Sequence, residues 1–513
     1  MTAFQRPGVY VQETLNPVQP VVGPNSDSIA AFVGQSDRGP VVPTLISSWS
    51  QYTKYYGTWN STTSDDLPLA LFMYFANGGN RAWVNRVLGA GAAPAQTTLY
   101  DRAGSPQGTV QLNAINPGLW GNTANGGLNV TVVNSRTNGY VDIVVYFNGI
   151  SDGNVVERFT DVTMDSTDTR YLVNVINASS NWLTATDLGS SSTGVTKNPA
   201  AVTNALFTTG SNGATIGTND YDSTVRAFDI VKQSLVLNVA GVIDAGIINN
   251  AIDYAENRGD VFIVIDGADA AVGSESNPAP GTQLNAANSY TSSSYAAIYY
   301  PRLTISDPTL GLGAAPGSTR LVGPGGAVVG LYAATDASRG VFKAPAGLTT
   351  RVAGAVAVKP LTNDELDILN TNAAAVNAIK YVSGAGIVVM GSRTLKTGYI
   401  DKYVPVRRSL IYLSKAFKDI TEFALFEPND ERLWRRVDAS LTSFLREFWG
   451  QGGLRGVTPK DAFFVKCDAE NNPQYLIDNG ELHIEVGVAL QRPTEFVIIK
   501  IGQFDGGTTV TVA

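Results

Sequence analysis

Charge is scarce in this chain of 513 residues: Asp, Glu, Lys and Arg make up 16% of it, against the usual quarter. Cysteine and histidine occur once each. A lone Cys467 excludes an intramolecular disulfide framework and a cysteine-based zinc site. It ends the strand-like run Phe463-Phe464-Val465-Lys466-Cys467 and is expected to be a half-buried structural thiol. A lone His483 excludes a histidine cluster and an HExxH metal site. A single histidine is enough for a Ser-His-Asp triad, but no G-x-S-x-G elbow occurs, and His483 in the alternating run Glu481 to Val486 reads as a structural side chain. No G-x-x-x-x-G-K-[ST] phosphate loop occurs either. The formal charge of −8 lacks the basic footprint of a general nucleic-acid binder. No apolar run approaches the roughly 18 residues of a membrane span, and Met1 to Tyr10 hold no apolar signal core. The chain is therefore expected to be made in a cytosol and to stay soluble.

What replaces charge is Ser, Thr, Asn and Gly, with 52 Gly and 24 Pro to mark turns. Hydrophobic residues still reach 44%, enough for real cores. Length suggests about three domains. The profile suits a β-rich protein with much surface buried against partners.

Along the chain the texture changes several times. Residues 1–28 read as an extended arm, with a β-prone run Val9, Tyr10, Val11, Gln12 and Glu13 between prolines. Residues 29–91 read as globular: a strand at Ile29–Val33, a helix from Asp65 to Asn77 and a strand from Arg81 to Val87. Residues 92–215 carry short β-prone runs between Asn, Gly and Ser clusters, the signature of an all-β unit, and 187–220 reads as a surface loop or linker. Residues 216–392 read as α/β. Leu235–Val239, a helical repeat from Ile243 to Ala255 and Val261–Ile265 form a βαβ unit, which implies parallel strands. Residues 393–504 read as α+β. Their clearest helix starts at an Asn429/Asp430 cap and ends at Gly450. Strands are expected at 462–467, 481–488 and 495–501, and 505–513 form a loose C-terminal arm.

Asp266 and Asp269, just after the strand Val261–Ile265, are the best candidates for chemistry, because ligands gather at the carboxyl ends of parallel strands. Asp-Gly and Ala-Asp there are also ordinary turn chemistry. The glycine-rich Gly323 to Gly330 lacks dinucleotide spacing and reads as a turn into a packed helix. No catalytic, cofactor or metal site is expected.

Several blocks resemble the contractile tail sheath proteins of tailed phages and related injection systems. The densest lies near the C-terminus: Tyr403-Val404-Pro405-Val406-Arg407-Arg408, Phe426-Glu427-Pro428-Asn429-Asp430, Leu433-Trp434, Gly453-Leu454-Arg455-Gly456, Ala462 to Asp468 and Arg492 to Val497. Upstream are Gly330-Leu331-Tyr332, Arg339 to Ala346, Gly391 to Leu395, Pro117 to Asn122 and Pro7-Gly8-Val9-Tyr10. Met390 and Pro405 depart from the pattern, where related sheaths often carry Trp and Asn.

The resemblance implies an α+β multidomain fold. Residues 29–91 and 393–504 would pack into a discontinuous inner domain. The inserts would be a β-sandwich-like domain and a subtilisin-like, non-catalytic α/β domain. It implies a non-enzymatic subunit that polymerises with itself as hexameric rings around an inner tail tube, with baseplate and tail terminator proteins as further partners. No cofactor, direct nucleic-acid contact or membrane insertion is implied, and the location is a virion tail assembled in a bacterial cytoplasm. The arms would exchange strands between neighbours through Val9–Glu13 and through Thr508, Thr509, Val510, Thr511 and Val512. Phe496, Val497, Ile498, Ile499, Lys500 and Ile501 would belong to the receiving sheet. Residues 401–460 hold 11 Lys/Arg against 8 Asp/Glu, a local +3. Arg432, Arg435, Arg436 and Arg446 are therefore candidate tube-facing residues, and solvated helix charges are the equally open reading. Two other classes stay open: an inactive α/β hydrolase with a pocket near Asp266, and a self-assembling shell protein.

Overall fold

A computed structural model describes residues 28–58, 66–268, 278–308, 318–370, 375–396 and 402–495. The arms Val9–Glu13 and Thr508–Val512, the receiving residues 496–501 and Asp269 lie outside the described residues. The chain divides into two compact units. The larger takes residues 26–338 and 345–404, and the smaller takes 339–344 and the chain from Pro405 onward.

The strands of the larger unit begin with β1 (Ile29–Gly34), β2 (Thr44–Ile46) and β3 (Ala82–Arg86). Next come β4 (Gln96–Tyr100), β5 (Gly108–Ala114), β6 (Leu128–Asn134), β7 (Val141–Phe147), β8 (Val155–Val162), β9 (Leu183–Asp187) and β10 (Val202–Leu206). The third group is β11 (Leu235–Val239), β12 (Val261–Asp266), β13 (Ala296–Tyr300), β14 (Leu303–Ser306), β15 (Thr319–Val322), β16 (Ala355–Val358), β17 (Val376–Val382) and β18 (Gly386–Val389). Eight of them form one sheet in the order β18-β17-β13-β12-β11-β1-β3-β2. Its six inner strands run parallel, and the two edge strands run antiparallel to them. Strands such as Leu235–Val239 and Val261–Asp266 are buried at every position, which a parallel sheet covered on both faces requires.

The expected βαβ unit is present. Its helix, Ala245–Arg258, starts at Asp244, whose side chain accepts from the Ile247 amide, and stops at Gly259 with φ +77°. That left-handed stop suits glycine. A second helix, Gly325–Arg339, lies against Asp66–Ala76 with little room. A Cβ on Gly326 would come within 2.1 Å of the Ala70 carbonyl oxygen, so only glycine allows this approach.

Residues 92–215 form two antiparallel sheets, β4-β5-β9 and β10-β6-β7-β8, which share one apolar core containing Leu112, Val130, Ile143, Phe159 and Ile176. The expected loop at 187–220 is only partly loop, because β10 pairs with β6 there. Its Thr and Asn positions are solvent-facing, so an edge strand gave no apolar alternation to read. Arg86, 1% exposed, bolts this part to the large sheet. Its guanidinium donates to the carbonyls of Ser36, Asp37 and Pro117, each at 2.9 Å.

Residues 29–91 were expected to share a core with the C-terminal section. Instead β1 hydrogen-bonds to β11 on one side and to β3 on the other. The reason is burial: Ile-Ala-Ala-Phe-Val-Gly is buried at all six positions and needs a neighbour on each edge. Among the described residues the smaller unit holds one short, half-buried hairpin.

Candidate assembly interface

The smaller unit is built on two amphipathic helices, Val404–Thr421 and Glu431–Gly450. The second begins where the sequence places it. Asp430 caps it, accepting from the Arg432 and Leu433 amides. Leu433, Trp434, Val437, Leu441, Leu445 and Phe448 are buried along one side. At about 100° per residue, Arg432, Arg435, Arg436 and Arg446 fall within roughly 100° of arc on the opposite side. All four are exposed. Arg435 pairs with Glu431 at 2.9 Å, an exposed i,i+4 contact that contributes only tenths of a kcal/mol. The Arg436 guanidinium stacks over Phe423, 4.2 Å from the ring centre. The four arginines therefore form one basic stripe, though two of them already have intrachain contacts.

Behind the helix lies a hairpin of β19 (Phe463–Lys466) and β20 (Glu485–Val488), paired from Phe463↔Val488 to Lys466↔Glu485. Val465, Val486 and Val488 turn towards Leu445, Phe448 and Tyr412. On the other face Phe464 lies over its cross-strand partner Gly487, where a Cβ would come within 2.1 Å of the ring. Among the described residues neither strand pairs with a third. The helix supports the hairpin from one face, and just past β20 the chain makes an isolated bridge, Leu454↔Leu490, so the remaining strand edge is short and open.

The strand expected at 481–488 starts later, at Glu485. Asn472 accounts for the difference: its side chain accepts from the His483 amide at 2.7 Å and donates to the His483 carbonyl at 2.9 Å. A side chain has taken a strand's place there. The His483 ring is exposed, with Nε2 2.9 Å from Glu481 Oε2. Cys467 is buried, and burial pushes its thiol up to about 11, the opposite of an activated nucleophile.

Asp266 is fully engaged. At 1% exposure its Oδ1 accepts from the Gly325 amide at 2.6 Å. Oδ2 accepts from the Gly241 amide at 3.0 Å and from Asn238 Nδ2 at 3.3 Å. A carboxylate at the start of the helix Gly325–Arg339 is well placed electrostatically, and it ties together the ends of β11, β12 and that helix. Among the described residues no cluster of His, Cys, Asp and Glu could hold a metal ion.

Sequence reasoning missed the exposed apolar residues of this unit: Leu425, Phe426, Val457 and Tyr475. Phe426 has φ +63°, the left-handed region that non-glycine residues rarely enter. Nothing in Leu-Phe-Glu-Pro announces that dihedral.

The family model for the phage tail sheath C-terminal domain matches residues 402–503. No curated protein matches the sequence. Among solved structures, the sheath complex of an extracellular contractile injection system, PVC, in the contracted state is 22% identical. The alignment covers 98% of this chain and 99% of that one, with a TM-score of 0.57. The helical sheath of the anti-feeding prophage in the contracted state is 20% identical, over 98% and 100% of the two chains, with a TM-score of 0.57. The sheath tail protein from Listeria innocua is 15% identical over 91% and 95%, with a TM-score of 0.60. Residues 402–503 thus match the sheath C-terminal domain family, and the chain as a whole has the fold of contractile sheath proteins.

Proposed function

We propose that this chain is the structural subunit of a contractile sheath, polymerising around an inner tube and contracting to drive that tube forward. The observation that carries the reading is the whole-chain likeness to sheath proteins, combined with the family match of residues 402–503. In this reading subunits stack as hexameric rings, and the N- and C-terminal arms connect each copy to its neighbours. The β19–β20 hairpin supports the second point, because it lacks a third strand among the described residues. An extended segment added to an open edge gains main-chain hydrogen bonds and alternate side-chain pockets.

Magnitudes explain why the links would work in numbers. About five new hydrogen bonds at about 1 kcal/mol each and about three buried side chains at about 2 kcal/mol each total about 11 kcal/mol. Ordering about six residues costs about 9 kcal/mol. One donated strand is marginal, whereas a ring of them is not. Free subunits then stay apart until tube and baseplate align several strands together. The arginine stripe of Glu431–Gly450 is the proposed tube-facing surface. The hydrolase reading gains no support, because every oxygen of the Asp266 carboxylate is occupied by the fold.

The test is deletion of residues 1–15. Co-expressed with its tube and baseplate partners, the truncated chain should remain a folded monomer, visible by circular dichroism, and form no tubes by electron microscopy. Normal tubes from the deletion would overturn the arm role.

A further inference from the structure

The loop joining the two helices of the smaller unit holds a bare phenyl ring. Phe426 is 106% exposed and Leu425 is 68% exposed, and the Phe426 backbone sits at φ +63°. The loop beneath is anchored. Asn429 donates through Nδ2 to the Glu481 carbonyl at 2.8 Å and accepts from Trp434 Nε1 at 2.7 Å. The Glu427 amide donates to the Ala424 carbonyl at 3.3 Å. A strained backbone residue on a fixed base, presenting an apolar side chain to water, is a preorganised knob. Glu427 follows it directly and Glu422 lies four residues before it, both exposed, so carboxylates flank the ring in sequence, with Arg436 over Phe423 on the helix side.

The larger unit carries a hole of matching chemistry. A cavity of about 160 Å³ is walled by Tyr55, Ile115, Trp120 and Trp182, with Lys54 and Arg38 also lining it. An apolar cavity of about 150 Å³ accepts a benzene ring. The Arg38 guanidinium lies 4.4 Å from the Trp182 ring centre. Its Nη2 reaches the Thr53 and Lys54 carbonyls, but Nε and Nη1 have no hydrogen-bond partner. Burial lowers the pKa of this guanidinium, as expected of a cation short of partners.

We propose that Phe426 of one copy seats in this cavity of a second copy, with Glu427 meeting Lys54 and Arg38. The complementarity is both apolar and electrostatic: an aromatic knob with acidic flanks meets an aromatic hole with two cations. Because knob and hole are different patches of one chain, the contact is heterologous, the kind that builds rings or helical filaments. The inference rests on the sheath reading, since it needs a polymer of this chain.

The test uses the full chain with its tube and baseplate partners. Phe426→Ala should lower tube yield at least tenfold while leaving the melting temperature of the monomer unchanged. Glu427→Lys and Lys54→Glu should each lower yield, and the double variant should restore it. Wild-type yield from Phe426→Ala would overturn the proposal. So would loss from Phe426→Ala with no effect of Lys54→Glu, which would place the ring against the tube or another partner. A wild type that forms tubes while the charge swap fails to rescue refutes the pairing and leaves the sheath reading standing. A wild type that forms none removes both.

Discussion

The two units solve the problem of burial in opposite ways. In the larger unit, β1, β11, β12 and β13 are buried at every position, and two of its buried charges are fully engaged by the fold. Arg86 is held by carbonyls, and Asp266 by amides. In the smaller unit the strands β19 and β20 contain no fully buried residue, and Leu425, Phe426, Val457, Phe464 and Tyr475 face solvent. One unit completes its main sheet, and keeps the open cavity around Arg38 and Trp182. The other keeps an open strand edge, a basic helix face and a bare aromatic. Main-chain edges for a neighbour therefore lie in the smaller unit, whereas the larger one offers a cavity walled by side chains.

The comparison can be broken most forcefully inside the larger unit. Asp266→Ala should destabilise it by about 3–5 kcal/mol, because three donors lose a buried charged acceptor. Chemical denaturation of the monomer measures this, and a loss below about 1 kcal/mol would show that the carboxylate is dispensable. Leu445→Ala acts on the core of the smaller unit and should cost about 2–4 kcal/mol. Its transition should separate from that of the larger unit, so that probes placed in each unit report different midpoints. A single coincident transition would argue that the units do not differ in independence.

The smallest effect is a pH dependence within residues 92–215. Hydrogen bonds from Ser190, the Gln107 amide, Ser192 and the Ala103 amide pull Asp101 down from 3.8 to about 2. A carboxyl whose folded pKa is depressed contributes stability that is complete above its unfolded value and disappears as pH falls through its folded value. Stability should therefore decline between about pH 4 and pH 2, and Asp101→Asn should flatten that part of the curve. An unchanged slope in the variant would assign the acid sensitivity to other carboxylates.

Much of this organisation could be read from the residues. The helix Glu431–Gly450 announced its cap and its apolar stripe. The βαβ unit at 235–266 announced its period and its glycine stop. Features set by distant pairing could not be read. Nothing local in Ile29–Gly34 says that its partner begins at Leu235, about 200 residues on. β10 was hidden because an exposed edge strand of Thr and Asn looks like a loop. The Asn472 side chain that displaces a strand near His483 is likewise a tertiary event. Of the candidate assembly residues, the arginine stripe could be predicted from spacing alone, whereas the left-handed Phe426 could not.

Hydrogen exchange in the free subunit and in the assembled tube reads, amide by amide, whether neighbours complete the smaller unit. Amides of β19 and β20 should exchange readily in the free chain and become strongly protected in the tube, while those of β11, β12 and β13 stay protected in both. If β19 and β20 exchange equally in both states, neighbours do not complete the smaller unit and the strand-sharing account is wrong.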